Sequence, residues 1–232
     1  MHPIIVIPTY NEKENIEDLI KQIFDQGIQN LEIIVVDDNS PDGTANVVNR
    51  LSDVFPLTLL KRKEKLGIGS AYIVGFKKAF EMGASHIFQM DADFSHDPKD
   101  LSKLLDTCCD SDVSIGSRKI SGGKIIGWGP VREMMSGGAM LLSRTLLGLK
   151  TRDVTAGFRC LKKEVFEKID LGTIKSSGYA FQEELLYRIQ KAGCKIKEVP
   201  VTFIDRKKGK TKLSKKDIIG FFLTMIRLKM KK

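Results

Sequence analysis

HIFQMDADFSHDP, residues 86–98, begins as an apolar strand and ends in carboxylates. Side chains of an extended segment alternate faces, so Asp91 and Asp93, two apart, look the same way, and like charges held side by side repel. Asp97 has a simple reading as the cap of a helix that Pro98 opens and that runs through KDLSKLLDTC. For Asp91 and Asp93 a turn role competes with another. A turn needs only one such residue, whereas a divalent cation between the two would remove the repulsion.

The same pattern recurs upstream. IIVIPT (4–9) is a short apolar run, followed by NEKENIEDLIKQIFDQG, where Ile16, Leu19, Ile20, Ile23 and Phe24 recur at helical spacing until Gly27 stops the helix. LEIIVVDDNS reads as a second buried strand ending in acids; SPDG turns the chain, and Thr44 caps the helix ANVVNRLSDV. PLTLLKR, GSAYIVGFKKAFEMG and HIFQMD follow as strand, helix and strand. This alternation predicts an α/β fold with a mostly parallel central sheet and helices on both faces. Further on, DVSIGSRK reads as a strand, SGGKIIGWGP as a flexible loop and VREMMSGGAMLLSRTLLGL as a Met- and Leu-rich helix. DVTAGFRCLKKEVFEKI then supplies a turn, GYAFQEELLYRIQKAG a helix with Glu183 and Glu184, and KIKEVPVTFIDR a final strand.

In such sheets ligands gather beyond the carboxyl ends of the strands. Three of those ends, PTYNE, VVDDNS and QMDADFSH, deliver Glu12, Asp37, Asp38, Asp91 and Asp93 to one edge. Folding does not call for that much negative charge in one place; a metal-bound phosphate ligand does. Neither GxGxxG after the first strand nor GxxxxGK[ST] occurs, which weighs against a dinucleotide-binding dehydrogenase or a P-loop enzyme. LGIGSAYIVG (66–75) is a glycine-rich helix start that suits close backbone approach.

With 232 residues, 42% of them apolar, the chain can bury a core, most simply as one domain with a tail. Its net charge of +9 is concentrated: residues 206–232 hold 11 Lys or Arg and one acid, Asp217, while the other 205 residues hold 27 basic and 28 acidic groups. No charged start and apolar run precede IIVIPTY, and no apolar stretch reaches the roughly 20 residues of a membrane helix, so a soluble or peripheral chain is expected. Cys108, Cys109, Cys160 and Cys194 lack CxxC spacing, which fits reduced thiols in a cytosolic compartment and argues against zinc.

The basic tail suits solvent, a nucleic-acid backbone, or an anionic lipid or phosphate. Against nucleic acid, it lacks interleaved aromatics suited to stacking, and the acidic strand ends would repel a phosphate backbone. On a helical wheel Ile218, Ile219, Phe221, Phe222, Leu223, Met225, Ile226, Leu228 and Met230 cover one arc, with Lys216, Gly220, Thr224, Arg227 and Lys231 opposite. The apolar part is about 20 Å long at ~1.5 Å per residue, short of a ~30 Å hydrocarbon core, so it is expected to lie in a membrane interface rather than span it. The alternative is a C-terminal helix packed on the domain.

PTYNE, VVDDNSPDGT, DADFSHDP, GSRK, DVTAGFR, GYAFQEE and EVPVTFIDRKKGKTKLS, in this order over about residues 4–214, resemble family 2 glycosyltransferases of the GT-A fold. The nearest likeness is to the dolichol-phosphate (polyprenyl-phosphate) mannose synthases. The resemblance implies a catalytic domain over residues 1–213 and a basic amphipathic interfacial helix over 214–232. It implies Mg2+ or Mn2+ held by Asp91 and Asp93, with a third contact at Ser95. Pro8, Tyr10, Glu12, Val36 and Asp38 match nucleotide-binding positions, joined on the donor by Asp91, Ala92 and Asp93; Asp37 has a structural reading instead. Arg118, Arg132, Ser136 and Arg206 match the acceptor-phosphate positions, and Arg132 and Ser136, four apart, share a helical face. One departure is Gly137, where relatives often carry Arg, so the phosphate site here has one cation fewer.

The implied reaction is an inverting displacement that moves mannose from GDP-mannose to a polyprenyl (dolichyl) phosphate, giving a β-linked product. A phosphate acceptor is already ionised near neutral pH and needs no general base. His2, His86 and His96 accordingly form no triad, and His96 reads as a supporting or surface residue. Glu183 and Glu184 are expected to contact the sugar or organise the site, and RKKGKTKLS to close over the phosphates. The resemblance further implies a place on the cytoplasmic face of a membrane, with small membrane subunits as further partners. The competing readings are a glucosyltransferase using UDP-glucose and a nucleic-acid-binding protein.

Overall fold

The computed structural model describes residues 1–205 and the helix at 215–230. β1 (Pro3–Thr9), α1 (Lys13–Phe24), β2 (Glu32–Asp37), α2 (Thr44–Leu51), β3 (Leu57–Lys61), α3 (Ile68–Glu81) and β4 (His86–Gln89) alternate as expected. There follow α4 (Leu101–Cys109), β5 (Val113–Ser117), β6 (Lys124–Ile126), α5 (Pro130–Leu147), β7 (Arg159–Lys162) and α6 (Lys163–Lys168). The last described elements are α7 (Tyr179–Lys191), β8 (Ile196–Pro200), β9 (Thr202–Ile204) and α8 (Lys215–Met230). Seven strands form the main sheet in the order β3-β2-β1-β4-β7-β5-β8, all parallel to their neighbours except β7.

Residue alternation decides which layer each strand residue serves. In β1, Ile4 and Val6 pack against Tyr72 and Phe76 of α3, while Ile5 and Ile7 pack against Ile16, Leu19 and Ile20 of α1. Strands apolar on both faces are what a parallel sheet covered by helices on each side requires. α3 lies so close that a Cβ on Gly75 would stand 2.2 Å from Val6 Cγ1. The chain runs from β1 outward to β2 and β3, then returns to β4 on the other flank of β1. That reversal opens a crevice beyond the carboxyl ends of β1 and β4, where acids gather.

Three local expectations differ. DVTAGFRCLKKEVFEKI contains strand β7 and helix α6 rather than only a turn; the four strand residues, RCLK, are too few and too mixed to signal a strand, and β7 inserts antiparallel between β4 and β5. SGGKIIGWGP contains β6, which pairs in parallel with β9 in a two-stranded sheet. KIKEVPVTFIDR is therefore two strands: β8 ends at Pro200, and Val201 hands the chain over by donating to Ser117 O and accepting from Lys124 N–H.

α8 packs on α5 and α7, burying Phe221, Met225 and Leu228. Its wheel is divided differently from the sequence expectation. Thr224 is buried and Arg227 pairs with the buried Glu184 of α7 at 2.5 Å, so two residues of the polar arc face the domain. Phe222, Leu223, Ile226 and Met230 of the apolar arc face outward. No described helix is long and apolar enough to cross a membrane.

Candidate active site

The chain leaves β4 through Met90, whose N–H reaches Val6 O, and turns at Phe94, which adopts a left-handed φ of 59°. A bulky residue there signals a constrained loop. The turn is held by its own acids: Asp93 Oδ1 accepts from Ser95 N–H at 3.1 Å, and Asp97 Oδ1 from Lys99 N–H at 3.0 Å, the expected cap before Pro98. Asp91 Oδ1 accepts from the Tyr72 hydroxyl at 2.8 Å. Burial, then the charge of Asp91, pushes the Tyr72 phenol well above its ordinary value, so it stays a donor. Asp91 N–H donates to His96 Nδ1 at 3.1 Å, which leaves the ring proton on Nε2. His96 is buried and stacked on Phe158 at 4.9 Å, and burial holds its pKa down, so the ring is a neutral brace behind the loop.

The far side of Asp91 is closed by residues that the sequence did not single out. A Cβ on Gly157 would meet Gln182 Nε2 at 3.3 Å, Asp91 Oδ2 at 3.6 Å and His96 Cε1 at 3.6 Å. Gln182, whose Oε1 accepts from Gln89 Nε2 at 3.3 Å, thus shares the Gly157 position with Asp91. Glu183 and Glu184 turn toward the helices: Glu183 Oε1 accepts from Ser143 Oγ of α5 at 2.5 Å, and Glu184 takes Arg188, Arg227 and Ser176 N–H. Burial pushes Glu183 up to about 7 against a smaller opposing effect of the Ser143 bond. Burial also acts to raise Glu184, but its Ser176, Arg188 and Arg227 contacts outweigh that and hold it low. These contacts tie both acids into the helix packing, and neither lines the cavity, unlike the expected sugar contact.

A cavity of about 800 Å³ starts at Asp91, Asp93 and Ser95 and continues past Arg118, Arg132 and Ser136. Arg118 donates twice to the buried Asp153, at 2.7 and 2.6 Å, and to Thr155 Oγ1 at 3.0 Å. Arg132 pairs with Asp205 at 2.5 Å and lies 4.2 Å over the ring of Trp128. Trp128 in turn meets Phe203 edge-on at 5.7 Å, and among the described residues its indole Nε1–H has no acceptor. Beyond this cationic waist the walls become apolar: Met135, Leu142, Phe221 and Phe222. Arg206 and the rest of RKKGKTKLS (206–214) lie outside the described residues.

The positions matched to the nucleotide flank this cavity along the ends of β1 and β2. Asp38 pairs with Arg62 and accepts from Gly67 N–H at 2.9 Å; Lys65 stands 3.8 Å over the Tyr10 ring. Burial holds Arg62 somewhat below its usual pKa. Glu12 N–H donates to Thr44 Oγ1, and its carbonyl starts α1. Pro8 is the β1 partner of Val36 across the ladder. The Val36 side chain is fully buried under α3, so it can offer a ligand only backbone, and Ala92 is likewise packed in the core. Asp37 accepts from Thr9 Oγ1, Ser40 N–H and Ser40 Oγ, which is the structural role weighed for it.

Among the described residues no group of three His, Cys, Asp or Glu side chains is arranged around a metal. What the loop offers is two carboxylates with the Ser95 hydroxyl beside them, all lining the cavity. Hard oxygen donors of this kind suit a divalent cation that keeps waters in its shell.

A mostly parallel sheet with an acid-lined crevice at its switch point, and a cationic cavity beside it, defines a glycosyltransferase-like GT-A fold. The chain belongs to Glycosyl transferase family 2, whose sequence profile matches residues 4–170. It is 39% identical over 215 residues to an undecaprenyl-phosphate mannosyltransferase of Micrococcus luteus, covering 92% of this chain and 88% of that one. It is 40% identical over 218 residues to a polyprenol monophosphomannose synthase of Mycolicibacterium smegmatis, covering 93% and 82%. The solved structure of glucosyl-3-phosphoglycerate synthase from Mycobacterium tuberculosis, with Mn2+, UDP and glucosyl-3-phosphoglycerate, superposes with a TM-score of 0.71 at 18% identity, covering 98% of this chain and 79% of that one. Mannosyl-3-phosphoglycerate synthase from Rubrobacter xylanophilus gives 0.69 at 18%, covering 98% and 72%.

Proposed function

We propose that this chain transfers mannose from GDP-mannose to a polyprenyl phosphate, with inversion at the sugar C1, giving a β-linked polyprenyl-phosphate mannose. The observation that carries this reading is the order of surfaces in one cavity: carboxylates, then arginines, then apolar wall. A diphosphate donor, a phosphate acceptor and a hydrocarbon tail need that sequence of chemistries. The names of the two bacterial relatives point the same way.

In this reading Asp91, Asp93 and Ser95 hold Mg2+ or Mn2+, which when bound neutralises the departing diphosphate. Tyr72 and His96 fix the carboxylate and backbone of Asp91. Pro8, Tyr10, Glu12, Asp38 and the backbone of Val36 hold the nucleoside, and Ala92 lets its backbone approach. Arg118, Arg132, Ser136 and Arg206 orient the acceptor phosphate, whose oxygen attacks without a general base. Asp153 keeps the Arg118 fork rigid, and Asp205 holds Arg132 until a phosphate competes for it. The outward apolar residues of α5 and α8, with the basic tail, seat the protein on the cytoplasmic face of a membrane, where the lipid tail stays. Residues 1–213 act as the catalytic domain and 214–232 as its interfacial helix.

Turnover of GDP-mannose and UDP-glucose with the same polyprenyl phosphate, measured side by side, tests the donor. Mannose transfer should dominate, and Asp91→Asn or Asp93→Asn should abolish it because each removes a charged oxygen from the cation. Comparable glucose transfer, or variants within a few fold of the parent at saturating metal, would overturn the assignment.

A further inference from the structure

α5 separates two cavities. Arg132, Met135, Ala139 and Leu142 face the one that holds the aspartates, while Gly137, Met140, Leu141 and Arg144 lie round the helix and line another of about 350 Å³. The second cavity is completed by Lys119, next to Arg118 but turned the other way, and by Arg152, next to Asp153.

Three cations therefore converge on one small space. Among the described residues none of Lys119, Arg144 and Arg152 has a side-chain ion pair or hydrogen bond, and Arg144 Nε is shut from solvent without an acceptor. The acids nearby are engaged elsewhere. Glu198 spends both carboxylate oxygens on the N–H groups of Arg152 and Asp153, at 2.8 and 3.0 Å, and Asp153 is held by Arg118. Glu133, the first acid of α5, does not line the space. Like charges gathered without a counter-charge, around a buried N–H with no acceptor, are costly unless an anion supplies both. Gly137 leaves room for one, since a Cβ there would meet nothing within 4 Å.

We propose that Lys119, Arg144 and Arg152 form a second anion site that takes a phosphate group, separate from the cavity of Asp91 and Asp93. The chemistry recognised is a tetrahedral oxyanion offered to two guanidinium forks and an ammonium. It has two sources, a free phosphate or the headgroup of an anionic lipid. Met134, Leu141 and Leu142 are exposed on the α5 ridge between the two cavities, so acyl chains have an apolar surface beside the site.

The test titrates the full chain calorimetrically with inorganic phosphate and, separately, floats it with phosphatidylcholine vesicles with and without phosphatidylglycerol. Lys119→Gln/Arg144→Gln/Arg152→Gln is compared with Lys77→Gln/Lys191→Gln/Lys195→Gln, which removes three exposed charges from other elements. The site variant should lose at least tenfold in affinity for one of the two probes, and the control less than twofold. Loss confined to inorganic phosphate assigns a free phosphate, and loss confined to anionic vesicles assigns the headgroup. Trp128, the chain's one tryptophan, lines the first cavity, so its emission change with GDP and metal should persist in the site variant and show that the fold is intact. In the unaltered chain, the probe whose affinity the site variant loses should also protect Arg144 and Arg152 from phenylglyoxal. Equal losses in both variants, or no loss and no protection with either probe, would overturn the site.

Discussion

The acid at position 91 is one end of a buried chain: Asp91 on Tyr72, and Tyr72 stacked on Phe181 at 5.9 Å. Tyr72→Phe keeps that stack and removes only the hydroxyl. We expect turnover to fall about tenfold, the loss of one hydrogen bond to a charged group, and the metal requirement to rise while the melting temperature stays near the parent's. Unchanged metal dependence would detach Tyr72 from the reaction. Glu183 gives a test of the opposite kind, on stability. Its folded carboxyl titrates at about 7, above the ordinary 4.5, so its contribution is full below pH 4.5 and is lost as pH rises through 7. The loss is on the order of 3 kcal/mol. Glu183→Gln, which retains a partner for Ser143, should flatten that decline, raising the melting temperature at pH 8 but not at pH 4; parallel pH curves would refute the buried ionisation. At this scale the pattern of strand ends pointed to the carboxylates, whose type is tied to their chemistry, and the family resemblance pointed to the arginines. Neither could announce Tyr72, Gln182, Asp153 or Trp128. Their types are common in ordinary cores, and only the chain's path brings them to the site.

At the scale of elements, α3 is fixed by absence. Gly75 lets the helix lie on Val6 and Val36, and Gly75→Ala would force a methyl into Val6 Cγ1. Overpacking of that kind costs about 1–3 kcal/mol, so denaturant melts should show a lowered midpoint with an unchanged slope. A midpoint equal to the parent's would mean that α3 has room to shift. α8 is held differently, by three apolar residues and the Arg227–Glu184 pair. Arg227→Ala leaves Glu184 with Arg188 and the Ser176 N–H but no tie to α8, and should expose α8 to protease sooner; a cleavage rate equal to the parent's would make the pair irrelevant to docking. The first four strands and three helices were legible because their apolar periods are long and clean. β7 and β6 were not, since RCLK and KII mix charged and apolar residues over too short a stretch, and their pairing is decided by distant partners. The wheel of α8 failed for a related reason. Hydropathy alone puts Arg227 outside, but a buried carboxylate on α7 draws it in.

For the whole molecule, the exposed apolar residues of α5 and α8 form a surface that water does not favour. We expect the chain to sediment with anionic liposomes at low salt and to be partly released by high salt. Deleting residues 215–232 should weaken this binding; equal sedimentation of both chains would show that the tail is not the anchor. The same deletion separates the two halves of the site. Every described contact at the edge proposed for the nucleotide comes from residues between 8 and 70, whereas the apolar end of the cavity needs Phe221 and Phe222. That division has a meaning in time. A chain emerging from the ribosome completes β1, β2, β3, β4 and the helices between them from neighbouring segments, while the apolar end of the cavity waits for α8. On the function proposed above, a nascent chain would have its nucleotide edge in place before the apolar wall meant for a lipid, because that wall is not closed until α8 is made.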